Sequence, residues 1–431
     1  MKGSLRPLAE LTLTHAATFA FPLAFAVICG RALGLSEYGV VAFYTALGGF
    51  LGVLVEFGSD WLGIREVGQS GSDQRRRLDV LFNVTALRAL LSAGVGAAMS
   101  LALWAWKGSV DALLIAGTWA YLVGFAFDVS WYLRAVDHTR LLLGVTLAMR
   151  TGGIVALALL VTTAQDTVWA LWVYAFVSLG TSALSWALLW RRGLVEGPLG
   201  LARSRIVALL RDGWSILLSN LGGALLGNGG VALLGVVSDP ATVGAASLAL
   251  RVKAAGQAVL MPIQQLSYVR VSRHARTDPA RVRHEGRRTL ALLMAVGSML
   301  ALAGAAAASH ITAFVFQQDV PLAAALIVLL CLSVPVHAAA NLFGIQSLVA
   351  FGRERVYAAI VGLAALLFLG LLLGVPGPLV FGWALLAAEL LILLLGALTL
   401  RHVMRHAMHP ITQPMTHHGT RHAEPGAGAG D

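Results

Sequence analysis

The sequence predicts an all-α polytopic membrane protein, with about 12 transmembrane helices in two six-helix bundles around a central cavity. Three observations support this fold class. Hydrophobic residues make up 58% of the 431 residues and charged residues only 12%, whereas soluble proteins are about 25% charged. The hydrophobic residues occur in runs of about 20, the length with which a helix crosses a bilayer. Arginine-rich and arginine-poor connections alternate between these runs.

Each apolar run is interpreted as one membrane span. The first is expected to be retained, because no A-x-A cleavage site follows its basic start. Cys29 and Cys331 lie inside apolar runs, which favours small core residues over a disulfide or a metal site. The 12 predicted spans are residues 11–32, 39–59, 80–104, 112–133, 141–163, 168–190, 213–237, 243–263, 289–314, 321–346, 356–374 and 379–400.

The distribution of basic residues predicts the orientation. Of the 31 Lys and Arg residues, 25 lie at the two ends or in the arginine-rich connections, two lie beside the other connections, and four lie inside spans. Because Lys and Arg concentrate in cytoplasmic loops, we expect both termini to face the cytoplasm. Topology therefore explains the net charge of +10, and nucleic acid is not an expected partner.

The two halves of the chain contain similar sequence patterns. Gly39 and Gly244 follow similar external turns, LGLSEYG and LGVVSDPATVG, and are 205 residues apart, as are Arg65 and Arg270. This spacing predicts an N-terminal six-helix bundle at 1–200 and a C-terminal one at 201–401, arranged as parallel repeats around a cavity. The longest connection, near 190–212, is expected to hold a short surface helix. Residues 402–431 are predicted to form a disordered cytoplasmic tail with no metal site.

Four basic residues lie inside predicted spans. A cation at mid-bilayer costs about 2.5–3.5 kcal/mol, so these side chains must face water, counter-ions or an anionic ligand. Arg251 and Lys253 lie about 200° apart on a helix, so only Lys253, in a stripe with Gln257, is predicted to face the lumen, and Arg251 is expected to pair with an acid or to line the gap between helices. Internal ion pairs that merely join helices are the alternative. The candidate substrate-binding residues are Arg88, Arg150, Arg251, Lys253 and Gln257.

The excess of buried cations favours an anionic cargo such as a phosphate or diphosphate, which Arg and Lys bind through charge-assisted hydrogen bonds. Glu56, Asp128 and Glu389 also lie in or near spans, and are candidates for coupling to an ion. No nucleotide-binding loop, Ser-His-Asp arrangement or zinc-ligand spacing is present in the sequence. We therefore expect a protein that is not an enzyme and that needs no cofactor.

Three stretches resemble one family. They begin RALGLSEYGVVAFYTALGGF, FDVSWYLRAVDHTRLLLG and NLFGIQSLVAFGRERVYAAI, at residues 31, 127 and 341. They are similar to the polysaccharide biosynthesis flippases (Wzx-type), an oligosaccharidyl-lipid branch of the multidrug/oligosaccharidyl-lipid/polysaccharide exporter superfamily. The residues that carry the family motif are Gly39, Gly58, Arg65, Glu66 and Trp131. The glycine that the family places after its aromatic pair is Ala135 in this chain.

The resemblance implies a function. The cargo would be a polyprenyl-diphosphate-linked oligosaccharide, moved through the lipid bilayer for O-antigen, capsule or exopolysaccharide assembly, with a polysaccharide polymerase and glycosyltransferases as partners. The alternative within the same superfamily is a cation-coupled multidrug exporter, whose lumen would be acidic or aromatic. A scaffold or polymerase that does not transport is the alternative from another class. A scaffold would match every buried cation with an acid.

Overall fold

The computed structural model describes residues 5–108, 111–195, 200–274 and 279–408, which form 15 α-helices and two short π-helical segments. The first half contains α1 (Leu5–Glu56), α2 (Ser59–Gln69), α3 (Gln74–Lys107), α4 (Ala112–Ala126), α5 (Ser130–Ala135), α6 (Thr139–Leu160) and α7 (Thr167–Arg191). The second contains α8 (Arg203–Ala224), a π segment (Leu225–Gly229), α9 (Gly230–Val237), α10 (Pro240–His274), α11 (Pro279–Ala306), α12 (Ala308–Phe316), α13 (Pro321–Phe343), a second π segment (Gly344–Leu348), α14 (Glu354–Gly374) and α15 (Val380–Met408).

The all-α polytopic fold class is confirmed. Ten helical stretches in the described part of the chain are long and apolar enough to cross a membrane, by length and composition. The stretch Ala20–Gln69 has 50 residues and covers residues 20–32 of the first predicted span and all of the second. Helix α10, which carries Arg251 and Lys253, is not among the ten. Counting two crossings in the first stretch and one in α10 gives the predicted total of 12.

The predicted turn between the first two spans is reduced to a kink inside α1. Its backbone leaves the helical conformation at Gly34, with φ 77° and ψ 177°. Glycine is favoured there because a residue with a Cβ rarely adopts a positive φ. The break between the spans is therefore a single glycine, and the seven-residue loop predicted from LGLSEYG is wrong.

The predicted surface helix before the seventh span is also wrong as a separate element. Its residues form the beginning of α8, which continues without interruption to Ala224. A side chain from the first half holds the approach to this helix: Asn83 Nδ2 donates to the Gly200 carbonyl at 2.7 Å, and Asn83 Oδ1 accepts from the Ala202 backbone N–H at 3.0 Å. These two hydrogen bonds attach the connection between the two halves to α3.

The two halves meet where α1 packs against α10. Gly39 and Gly244 lie at this crossing, and a Cβ built on Gly39 would be only 1.7 Å from the carbonyl oxygen of Pro240. The residues whose equivalence was predicted from sequence therefore contact each other directly. The largest core cluster surrounds this crossing and includes buried Cys29 and Cys331, both of which are core residues, as predicted.

The last helix is longer than predicted. Helix α15 continues to Met408, so the first residues of the predicted tail are helical. The rest of the predicted tail, residues 409–431, lies outside the described residues.

Candidate functional site

A cavity of about 490 Å³ lies beside the α1–α10 crossing, and we call it the central cavity. The first half contributes lining residues from α1 and α7, and the second half contributes them from α8, the first π segment, α9, α10, α13, α14 and α15. Its volume lies within the range of about 300–1,000 Å³ that is typical of small-molecule sites. Among its polar lining residues are Asn228, Arg251, Lys253, Gln257, His337 and Glu389.

Arg251 lines the central cavity at the interface between α1 and α10. Its Nη1 donates to the carbonyl oxygen of Pro22 at 2.5 Å, and its guanidinium lies 5.0 Å from the ring centre of Phe25 and 5.9 Å from that of Tyr38. Pro22 lies inside α1, so this hydrogen bond joins the side chain of α10 to the backbone of α1. These contacts hold Arg251 at the gap between helices, one of the two positions predicted for it.

Lys253 lies on the same cavity but is paired. Its Nζ donates to Glu389 Oε1 at 2.5 Å, and the Nδ1 of His337 lies 3.0 Å from that same oxygen. Lys253 and Glu389 are each only 4% exposed. We call these three residues, from α10, α13 and α15, the ion-pair cluster. His337 was missed at the sequence level, because a single histidine in an apolar run carries no signal until the fold places it beside an acid.

The helical-face argument for separating Arg251 and Lys253 is wrong. Both side chains line the central cavity, although they project about 200° apart from the helix. Long basic side chains extend along apolar surface before presenting their charge, and several helices curve around α10 here. Gln257 also lines this cavity, as the stripe predicted.

A second cavity, of about 340 Å³, lies within the first half, and we call it the N-terminal cavity. Arg150 of α6 lines it together with Glu56 of α1 and Asp128. Asp128 accepts from the Ser130 hydroxyl at 2.6 Å. Pro22 and Tyr174 line both cavities. Arg150 is thus placed on a cavity adjacent to the one that holds Arg251 and Lys253.

The structure places Arg88, predicted as a substrate ligand, in a buried ion pair and not among the lining residues of either cavity. Its side chain is fully buried. Its Nε donates to the Ser59 hydroxyl at 2.8 Å, one Nη donates to the Asp128 carbonyl at 3.2 Å, and the other Nη pairs with the Asp60 carboxylate. Arg134 also approaches Asp60, at 3.5 Å. The guanidinium therefore joins α3 to the start of α2 and to the break between α4 and α5.

The remaining motif residues shape the backbone around these sites. Gly58 has a left-handed conformation, with φ 68°, at the break between α1 and α2. Trp131 is fully buried, and its ring packs closely against Gly63. A Cβ built on Gly63 would lie only 2.5 Å from that ring. Arg65 is exposed on α2, and Glu66 is partly buried beside it. Gly39 lies at the helix crossing, so the contacts of the motif residues in this structure are mainly contacts between helices.

The two cavities differ in charge. With carboxylates ionised and His337 neutral, the described lining of the central cavity carries two cations, Arg251 and Lys253, and one anion. The described lining of the N-terminal cavity carries one cation, Arg150, and two anions. An anionic ligand is therefore favoured in the central cavity and a cation in the N-terminal cavity.

Solved structures of transporters share this fold. An inward-facing structure of a multidrug resistance MATE family transporter of the MOP superfamily matches with a TM-score of 0.71 and 14% identity, over 91% of this chain and 95% of that chain. The lipid II flippase MurJ, in an inward closed conformation, matches with a TM-score of 0.69 and 11% identity, over 93% of this chain and 91% of that chain. An outward-facing MATE transporter of the same superfamily matches with a TM-score of 0.56 and 13% identity, over 93% and 95% of the two chains.

Sequence comparison supplies the family. No curated protein sequence matches the chain. The family model described as "Polysaccharide biosynthesis protein" matches residues 5–269, more than half of the 431 residues. This match extends from α1 through most of α10 and includes Arg251, Lys253 and the motif residues. The chain belongs to the polysaccharide biosynthesis protein family.

Proposed function

We propose that this multi-pass membrane protein is a flippase. It translocates polyprenyl-diphosphate-linked oligosaccharide repeat units across the bacterial inner membrane, for O-antigen, capsule or exopolysaccharide assembly. The observation that carries the proposal is the pair of basic side chains, Arg251 and Lys253, on a cavity lined from both halves of a polysaccharide biosynthesis family member.

The cargo explains why such a cavity is needed. Moving a sugar hydroxyl into an alkane-like medium costs about 4–8 kcal/mol when no hydrogen bond replaces its water. An oligosaccharide with many hydroxyls therefore needs a polar route, which Asn228 and Gln257 contribute to. The diphosphate is expected beside Arg251 and Lys253, and the polyprenyl tail stays in the lipid. Rocking of the two halves would alternate access to the two leaflets.

Orientation and partners belong to the same proposal. Both termini face the cytoplasm, where glycosyltransferases complete the repeat unit, and a polymerase uses it on the other side. Glu56, Asp128 and Glu389 are the candidates for ion coupling. The acids of the N-terminal cavity favour a coupling cation there, with Arg150 controlling the local charge rather than binding the diphosphate.

A deletion strain tests the cargo. Loss of the gene should cause the lipid-linked repeat unit to accumulate on the cytoplasmic leaflet and should remove surface polysaccharide. The wild-type gene should restore both. If the deletion strain exports polysaccharide normally, the proposed function is wrong.

Variants of the ion-pair cluster test the cation. Lys253→Met alone leaves Glu389 buried without its partner, so a loss of export would have two explanations. The double variant Lys253→Met with Glu389→Gln removes both charges and keeps similar volumes. We expect this double variant to reach normal protein levels but to export at less than one tenth of the wild-type rate, whereas Lys253→Arg should retain export. Normal export by the double variant would remove Lys253 from the mechanism.

One observation favours a second candidate, a cation-coupled multidrug exporter. The N-terminal cavity combines Glu56 and Asp128 with the aromatic rings of Tyr121 and Tyr174, which suits an organic cation. A multidrug exporter predicts that the deletion strain is more sensitive to drugs and that its surface polysaccharide is unchanged. The two phenotypes distinguish the candidates in one strain.

A further inference from the structure

The ion-pair cluster holds the lysine that the proposed cargo needs. Glu389 Oε1 accepts from Lys253 at 2.5 Å and lies 3.0 Å from His337 Nδ1. Glu389 neutralises the charge of this ammonium, so the pair attracts a second anion less strongly than a free lysine would. Lys253 acts on the diphosphate with its full charge only when Glu389 has been displaced or has lost its own charge.

One oxygen of the Glu389 carboxylate is free to take a proton once Lys253 has moved away. Glu389 is 4% exposed, and its second oxygen, Oε2, is buried without a hydrogen-bond donor among the residues that the structure describes. A buried carboxylate oxygen without a donor is unfavourable, and a proton on Oε2 removes the buried negative charge, which costs more to bury than a neutral polar group. His337 offers a route, because its side chain is 38% exposed while its Nδ1 reaches the buried carboxylate.

The charges around Glu389 favour proton uptake when an anion enters. Lys253 faces it from α10 and His337 from α13, Arg251 lies on the same cavity, and Tyr174 and Tyr357 are its remaining titratable lining residues. Protonation of His337 adds a second net positive charge, and protonation of Glu389 adds a third and releases Lys253. Each step strengthens the attraction for a diphosphate, and an anion in the cavity favours each protonation by the same amount.

We propose that the central cavity binds a diphosphate anion together with at least one proton, which Glu389 and His337 accept while Lys253 transfers from Glu389 to the anion. This inference rests on the proposed function only for the identity of the ligand. The proton comes from the solution and is released to it when the anion leaves, so no other reactant is required.

Binding measurements on the full chain in lipid nanodiscs test the coupling. The probe is farnesyl diphosphate, a short prenyl diphosphate, and titration calorimetry in two buffers of different ionisation enthalpy counts the protons taken up. Because the probe itself titrates, the informative quantity is the difference between the wild type and Glu389→Gln. We expect the wild type to take up more protons and to bind more weakly as the pH rises, by up to about tenfold per pH unit for each proton.

Glu389→Gln should bind the probe more tightly than the wild type at pH 8, because no carboxylate competes for Lys253, and should show a smaller pH dependence. His337→Asn keeps the ion pair and should reduce proton uptake while leaving the protein folded. Asp319→Asn, at an exposed position in the connection before α13, is the matched control and should behave as the wild type.

The outcomes separate the two proposals. Equal proton uptake by the wild type, Glu389→Gln and His337→Asn, with clear binding by all three, would overturn the coupling and leave the flippase proposal intact. Absence of farnesyl diphosphate binding by the wild type at every pH would overturn the proposed ligand itself.

Discussion

Replacing Gly39 with alanine tests whether the α1–α10 crossing is as tight as the structure indicates. A Cβ at residue 39 would lie 1.7 Å from the carbonyl oxygen of Pro240 and 3.0 Å from the backbone nitrogen of Gly244. These are backbone atoms, so no side chain can rotate away. The helices must separate by roughly 1–2 Å to restore a contact of about 3.5 Å. Overpacking of this kind costs about 1–3 kcal/mol.

Two further glycines provide a graded comparison. A Cβ on Gly244 would meet the Leu35 carbonyl oxygen at 2.6 Å, a milder conflict, whereas a Cβ on Gly94 of α3 would have no neighbour within 4 Å. We expect the thermal unfolding midpoint in detergent to fall most for Gly39→Ala, less for Gly244→Ala and not at all for Gly94→Ala. Surface polysaccharide, measured at matched protein levels, should follow the same order. If Gly39→Ala and Gly94→Ala are equally stable and active, the close crossing is refuted.

Three more predictions concern residues outside the cavities. Arg88→Met should lower the free energy of unfolding by about 3–5 kcal/mol because it leaves Asp60 without its buried partner, and adding Asp60→Asn should recover part of this loss; an additive double variant would contradict the pairing. Asp239 caps α10 by accepting from the Thr242 backbone N–H and hydroxyl, at 3.0 and 2.7 Å, so Asp239→Ala should cost about 1 kcal/mol. The hydrogen bonds from Thr242 lower the pKa of Asp239. The contribution of Asp239 to the free energy of unfolding is therefore present at neutral pH and is lost as the pH falls through that lowered pKa. Unfolding curves between pH 7 and pH 3 should show the stability of the Asp239→Ala variant approaching that of the wild type. Trp131→Ala should cost about 3–5 kcal/mol, measured by chemical unfolding, and a loss below 1 kcal/mol would contradict its burial.

Much of the architecture was predictable because the bilayer restricts what a sequence can form. Backbone groups in hydrocarbon must bond within their own helix, so apolar runs predict spans directly. The two predicted elements that were wrong, the loop at 33–39 and the surface helix before the seventh span, lie at span ends. There the apolar pattern stops, and packing decides whether the helix continues. Gly34 and the start of α8 are examples.

The candidate site was predictable only in part. The cost of burying charge singles out Arg88, Arg150, Arg251 and Lys253 from sequence, but it does not say what each one faces. At Arg88 a carboxylate offsets this cost inside the packed protein. At Lys253 a carboxylate also offsets it, but the pair lies beside a cavity. Partners such as Asp60 and Glu389 are distant in sequence, so no local pattern identifies them.

The sequence by itself determined that this chain is a helical membrane protein and which four residues inside its spans needed polar surroundings. Those properties follow from the free energy of placing peptide groups and charges in hydrocarbon, to which each residue contributes separately. The tertiary structure alone decided that Arg88 forms a buried ion pair, that Arg251 and Lys253 share one cavity, and that His337 joins Glu389. These depend on side chains that meet from helices far apart in the chain, which only the packed fold brings within hydrogen-bond distance.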